Sequence, residues 1–129
     1  MILIIAVLAA IAIPAFLGQR QKAVDAQAQE LARTAETTAE TIAADRGGEY
    51  STVTTEELHR YEPSIPIATG TKAAYLSAAT QGPSEYSLTV TAVNGDEFTI
   101  RRDSTGAITR ECASPVEKTG CSGGEHGTW

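Results

Sequence analysis

The first seventeen residues, MILIIAVLAAIAIPAFL, constrain this chain more than any other stretch. They carry no charge, amide or hydroxyl, and they run without a stop into the alanine-rich, charged stretch GQRQKAVDAQAQELARTAETTAETIAADR. Joined, the two predict one helix of roughly 45 residues, about 65 Å long at 1.5 Å per residue. The rest of a 129-residue chain cannot build a domain that wraps a helix of that length. The first part is apolar on every side, so it has to lie in lipid or among other copies of itself. The second part keeps a single apolar stripe and has to carry a domain.

A secretory signal peptide would place basic residues ahead of the apolar run. Here Met1 is followed at once by Ile2, Leu3 and Ile4, so that reading fails. The run spans roughly 25 Å, short of the ~30 Å hydrocarbon core of a bilayer. It reads as a membrane anchor that begins abruptly, as though its first turns were missing. Pro14 lies inside it, removing one i→i−4 hydrogen bond and crowding the carbonyl of Ala10. A kink or local loss of helix just before Pro14 is therefore expected, with the helical pattern resuming at Phe16 and Leu17.

From Gly18 and Gln19 onward the character changes. Val24, Ala28, Leu31, Ala35, Thr38 and Ile42 alternate in spacings of four and three, which puts them on one face of the helix. Gln, Glu, Asp and Arg are expected on the opposite face. Gly47-Gly48 is a stop signal, so the helix should end near Asp45-Arg46. In the next stretch Thr54 and Glu57 have capping-box spacing and predict a short helical turn, ended by Pro63 and Pro66. KAAYLSAATQGP stays open between an irregular segment and a short edge strand. The whole of 47–84 is read as a long connection laid over the head.

From Glu85 the signal sharpens. Tyr86, Leu88, Val90 and Ala92 alternate with Ser87, Thr89 and Thr91, a half-buried strand. Asn94-Gly95 follows, suited to a type I′ hairpin turn. Glu97 to Arg102 is the return strand, with Phe98 and Ile100 on one face. Asp103 to Gly106 is a second turn, and Ala107 to Cys112 a third strand. The fold class that results is α+β: a long N-terminal helical spine packed on a three- to four-stranded antiparallel sheet. Val24, Ala28, Leu31, Ala35 and Ile42 are expected to pack against Leu88, Val90, Phe98 and Ile100. Residues 1–18 form an apolar segment. Residues 19–129 form the head, comprising amphipathic helix (19–46), connection (47–84), sheet (85–112) and C-terminal region (112–129).

The formal net charge of −6 and pI near 4.8 argue against a general phosphate-binding surface, and no stable nucleic-acid partner is expected. Arg101, Arg102 and Arg110 form one basic strip that would bind phosphate only locally. Cys112 and Cys121 lie in a Gly/Ser/Thr-rich tail with eight residues between them, which reads as a disulfide formed in an oxidising compartment. A metal site made from these cysteines and His126 lacks a fourth ligand and CxxC spacing. His59 and His126 are the only histidines, and neither lies in a nucleophile or metal motif. There is no Gly-rich phosphate loop and no EF-hand spacing. No cofactor and no enzymatic activity are expected. The many threonines read as strand and turn composition rather than as acceptors for O-linked sugars.

ILIIAVLAAIAIPAFLGQRQKA, with Ala12 and Pro14 and basic residues just after the apolar run, resembles the N-terminal helix of type IV pilins. FTIRRDSTGAITREC resembles the last sheet strands of bacterial pilins, and the tail from Cys112 through Cys121 to GGEHGTW is similar to their disulfide-bounded C-terminal region. The likeness covers both ends of the chain and hardly touches 49–84. It implies the pilin fold and its lollipop shape. It implies that Ile2, Leu3, Ile4, Ile5, Val7, Leu8, Ile11, Ile13, Pro14, Phe16 and Leu17 make the core of a helical homopolymer, the extracellular type IV pilus. It also implies residence in the inner (cytoplasmic) membrane before assembly, with pilus assembly machinery and a prepilin peptidase as partners. The family's leader and its glutamate near the mature N-terminus would fall ahead of Met1, so that contact has no counterpart here. Two alternatives are a pseudopilin of a type II secretion system and a minor pilin acting in DNA uptake or adhesion. The cysteine pair points away from the first, because major pseudopilins resemble proteins with a C-terminal Ca²⁺ loop and no disulfide; the acidic balance disfavours DNA uptake.

Overall fold

In the computed structural model the chain is described over residues 1–68, 73–114, 121 and 127–129, with the backbone alone over 12–18. One helix, α1 (Ile2–Asp45), takes up a third of the chain and runs unbroken through Pro14. The expected loss of helix before Pro14 does not occur in the isolated chain. A proline removes a single backbone bond, and the surrounding Ala, Leu and Ile residues hold the remaining ones. α1 ends as expected: Gly47 turns left-handed at φ 73° and the Gly48 N–H donates to the Ala43 carbonyl at 2.7 Å. This is a Schellman cap, which satisfies a carbonyl the last turn would leave bare.

The sheet meets α1 along Asp25, Ala28, Ala32, Ala35, Thr38, Ala39, Ile42 and Ala43, all buried. The sequence stripe is thus displaced. Ala28, Ala35, Thr38 and Ile42 are on it, but Val24 and Leu31 lie at its margin and are only half-buried. Alanines occupy the centre line because a side chain that stops at Cβ lets the helix axis come close to the sheet. The larger residues fill the flanks, where the curved surfaces diverge. Asp25, expected on the polar face, is wholly buried.

The connection is more structured than a loop. Thr54 caps α2 (Thr55–Tyr61), its Oγ1 accepting from the Glu57 N–H at 3.1 Å. The Glu57 carboxylate pairs with Arg60 and, at 3.6 Å, with Arg46, which fastens α2 to the end of α1. Chain direction changes at Glu62, the residue before Pro63, where helical backbone is disfavoured. The ambiguous stretch resolves as β1 (Tyr75–Gln81), an edge strand with an irregularity between Leu76 and Ala78. Tyr50, Val53, Leu58 and Ile65 from this region are buried in the core.

β2 (Tyr86–Thr91), β3 (Glu97–Arg102) and β4 (Ile108–Ala113) follow, giving one antiparallel sheet in the order β1-β2-β3-β4. Leu88 faces Ile100, and Val90 faces Phe98, and all four side chains point at α1. The expected α+β architecture is present, with four strands. The Asn94-Gly95 turn is not type I′. The Gly95 N–H donates to the Ala92 carbonyl at 3.0 Å and Gly95 has φ 92°, so the loop is Val93-Asn94-Gly95, a type I turn closed by a left-handed glycine. The β3–β4 connection repeats this shape, with Gly106 at φ 89° and its N–H on the Asp103 carbonyl at 3.0 Å.

Glu40 ties helix to sheet near the far end of α1. Its carboxylate accepts from the Tyr50 hydroxyl at 2.7 Å and the Tyr86 hydroxyl at 3.0 Å, and the two rings lie 5.0 Å apart. Burial pushes the Tyr86 hydroxyl far above its usual range, and the Glu40 charge adds to the effect. The folded chain therefore holds this proton more tightly than the unfolded chain does. Stability from this source is complete below the ordinary tyrosine value of ~10 and declines as pH rises past it. Urea titrations on either side of that pH should show the decline, and Tyr86→Phe should flatten it. An equally steep decline in the Tyr86→Phe variant would contradict the assignment.

Candidate functional site

Among the described side chains of α1, Gln21 is the first to bond to the head: its side-chain carbonyl accepts from Asn94 Nδ2, in the β2–β3 turn, at 2.9 Å. Residues 1–11 are all exposed, roughly 16 Å of helix at 1.5 Å per residue that stands clear of the head as an apolar rod. On this rod Ile2 is 86% exposed, Leu3 78%, Ile4 63%, Ile5 66%, Val7 54%, Leu8 62% and Ile11 69%. Leu3, Ile4, Val7 and Leu8 border a shallow groove of about 200 Å³ with almost no polar lining. Ile13, Pro14, Phe16 and Leu17 continue the apolar run, but their side chains lie outside the described residues. The first charges after it, Arg20 and Lys22, are exposed at the neck. Among the described residues no helix is long and apolar enough to cross a membrane. The rod combines a large uncovered apolar surface with an absence of charge, and what it can do chemically is pack.

The neck is held by a buried polar junction that periodicity did not reveal. Asn94 Nδ2 also donates to Asp25 Oδ1 at 2.9 Å, and Asn94 Oδ1 accepts from the Asp96 N–H at 3.0 Å. Asp96, wholly buried, accepts from the Ser114 hydroxyl at 2.7 Å. The β2–β3 turn is thereby bolted to α1 where the helix leaves the head. Asp25, three residues ahead of Ala28 on the buried side of α1, was the available signal. A carboxylate in register with a buried stripe needs a donor, and Asn94 in the turn is one.

Cys112 and Cys121 are joined by a disulfide, with Cα atoms 5.7 Å apart, so neither offers a thiolate to a metal. Cys112 also makes a two-way backbone bridge with Gly127, at 2.9 and 3.0 Å. The tail is thus more than a loop pinned by cysteines. Trp129 packs edge-on against Phe98 at 5.7 Å and donates from Nε1 to the Glu111 carbonyl at 2.9 Å, closing the gap between α1 and β4. Residues 115–120 and 122–126, including His126, lie outside the described residues. Reducing the disulfide, or replacing both cysteines by serine, should cost roughly 2.5–3 kcal/mol for a loop of this size. Thermal unfolding with and without reductant checks this; unchanged stability would show the tail to be held by Gly127 and Trp129 alone.

The basic strip breaks up. Adjacent residues on a strand face opposite ways. Arg102 turns to the helix side, 3.9 Å from Glu40 and over the Tyr50 ring, and Arg110 lies 3.8 Å from Glu36 and over Trp129. Arg101 alone points outward and is exposed. His59 Nδ1 meets the Ile65 carbonyl at 2.6 Å, a bond that closes the turn after α2. Among the described residues no three His, Cys, Asp or Glu side chains converge as metal ligands. Comparison with protein-family models, with curated proteins and with solved structures gives no match, so the residues themselves carry the functional reading.

Proposed function

We propose that this chain is a structural subunit of a type IV pilus-like extracellular filament, assembled by packing the apolar rods of many copies. The observation that carries the reading is the exposure of seven large apolar side chains, Ile2 to Ile11, on helix that its own head cannot reach. Covering them contributes about 1.5–3 kcal/mol each, or roughly 10–20 kcal/mol per subunit. Association costs on the order of 4–15 kcal/mol, so the rod alone can hold a polymer together. Rod and head lie at opposite ends of one helix, so each copy offers its apolar surface to neighbours stacked along an axis. Head-to-tail contacts of that kind propagate as a helix rather than closing. Before assembly the same surface would rest in the cytoplasmic membrane, from which assembly machinery would draw the subunits. In this role the chain performs no reaction, and the heads present the surface that the filament shows to its surroundings.

Electron microscopy of filaments sheared from producing cells, with mass spectrometry of the purified material, tests the proposal. The chain is expected as a principal component. Ile5→Asp should remove the filaments, since a lone charge among packed apolar helices is costly. Filaments lacking this chain, or filaments that persist with Ile5→Asp, would refute it.

A further inference from the structure

The outer face of the sheet carries a feature that filament packing by the rod leaves unused. At the end nearest the Asp103–Gly106 turn, Thr80, Gln81, Glu85, Tyr86, Ser87, Arg101, Arg102 and Asp103 enclose a half-open cavity of about 310 Å³. Register sets who faces it. Thr80 pairs with Ser87 and Ser87 with Arg101, so these three lie in one row across β1, β2 and β3 on the side away from α1. Glu85, one residue ahead of β2, lies diagonally across from Arg101. Such diagonal neighbours of opposite charge commonly pair. Here they do not: no ion pair joins them, and among the described residues the side chains of Arg101, Glu85, Thr80, Gln81 and Ser87 have no hydrogen-bond partner.

The other two charges in the lining are already engaged. Asp103 Oδ1 accepts from the Thr105 and Ala107 N–H groups at 2.9 and 3.0 Å, and the Thr105 hydroxyl also donates to it. These bonds hold its carboxyl below the usual carboxylate range. Arg102 is turned inward to Glu40. Gly82 leaves room for the Glu85 side chain, since a Cβ there would meet Glu85 Cγ at 3.0 Å. What remains free is one guanidinium, one carboxylate, two hydroxyls and one amide around a space the size of a single small molecule.

We propose that this cavity binds one acidic sugar residue, a hexuronate. Its planar carboxylate would lie on the Arg101 fork, and its ring hydroxyls would donate to Glu85 and exchange hydrogen bonds with Thr80, Ser87 and Gln81. An inorganic anion would use Arg101 and leave Glu85 opposed to it. A neutral sugar would use Glu85 and leave Arg101 unsatisfied. Only a ligand with both functions, an acid and several hydroxyls, answers the whole lining. The site stands apart from the rod and does not depend on the filament reading.

The test is a titration of the ¹⁵N-labelled full chain, held in micelles of a sugar-free zwitterionic detergent, with sodium glucuronate, glucose and sodium sulfate in parallel. Glucuronate is expected to give saturable shifts confined to residues 80–87 and 101–103, with glucose and sulfate at least tenfold weaker. Arg101→Ala should weaken glucuronate at least tenfold and Glu85→Gln several-fold, while the Asn94 side-chain amide signal stays in place as a sign of the intact fold. Arg101 is exposed and partnerless, so its removal puts no core contact at risk. Sulfate binding as tightly as glucuronate would reduce the site to a simple anion contact and overturn the proposal. Shifts that never saturate, or that survive Arg101→Ala, would overturn it as well.

Discussion

A chain lacking residues 1–19 is expected to fold as a soluble monomer with the Cys112–Cys121 disulfide formed, and to build no filaments. The cut falls ahead of Gln21, whose side chain meets Asn94 in the β2–β3 turn, so the junction of Gln21, Asn94 and Asp25 is kept whole. The buried stripe from Asp25 to Ala43 and every strand are kept as well. What is lost is the exposed apolar rod, roughly 10–20 kcal/mol of burial available only to an assembly. Sedimentation and circular dichroism of the truncated chain, with microscopy of cells that produce it, check both halves of the expectation. Filaments built from the truncated chain would show that heads alone assemble. A truncated chain that fails to fold with its disulfide intact would show that the rod supports the head.

The second large effect is expected at Phe98. Its ring is wholly buried between α1 and the sheet, faces Val90 across the β2–β3 ladder, and is capped edge-on by Trp129. Phe98→Ala should cost about 3–5 kcal/mol, from lost transfer energy and from a cavity that rigid strands cannot close. Against a total of roughly 5–15 kcal/mol for a domain, that is a large share of the head's stability. Ile108→Ala, at a side chain 40% exposed on β4, should cost under ~1 kcal/mol and serves as the control. Denaturant unfolding of both variants provides the comparison. Equal costs would mean that Trp129 and the disulfide-bounded tail do not seal the core as described.

Much of this architecture was legible in the residues because it depends on local rules. Seventeen apolar residues running into an alanine-rich amphipathic stretch leave no option but a long helix, and Gly47-Gly48 stops it wherever the rest of the chain lies. Thr54 caps α2 three residues ahead of Glu57 by a contact made within one turn. The alternation from Tyr86 to Thr91 puts Leu88 and Val90 on one face whatever covers them. The cysteine pair also declared itself by spacing and company.

Other features were decided only when the elements met. Val24 and Leu31 do pack against the core, but only half-buried at its margin, while Ala28, Ala32, Ala35 and Ala39 take the centre line, because the closest approach of helix to sheet admits only a Cβ. The same choice of line drew Asp25 inside, and Asp25 in turn engaged Asn94, whose side chain accompanies a three-residue turn where the Asn-Gly pair had suggested two. Residues 75–81 have too weak a pattern to form a strand alone, and they became one because β2 had an open edge of hydrogen-bonding groups to satisfy. Arg102 and Arg110 found Glu40 and Glu36 on the helix, leaving Arg101 alone on the outer face. Local sequence determined which elements form, through backbone propensity and capping that need no distant partner. The tertiary structure decided which face of each was buried and which charges remained free, because those depend on how closely two surfaces can approach.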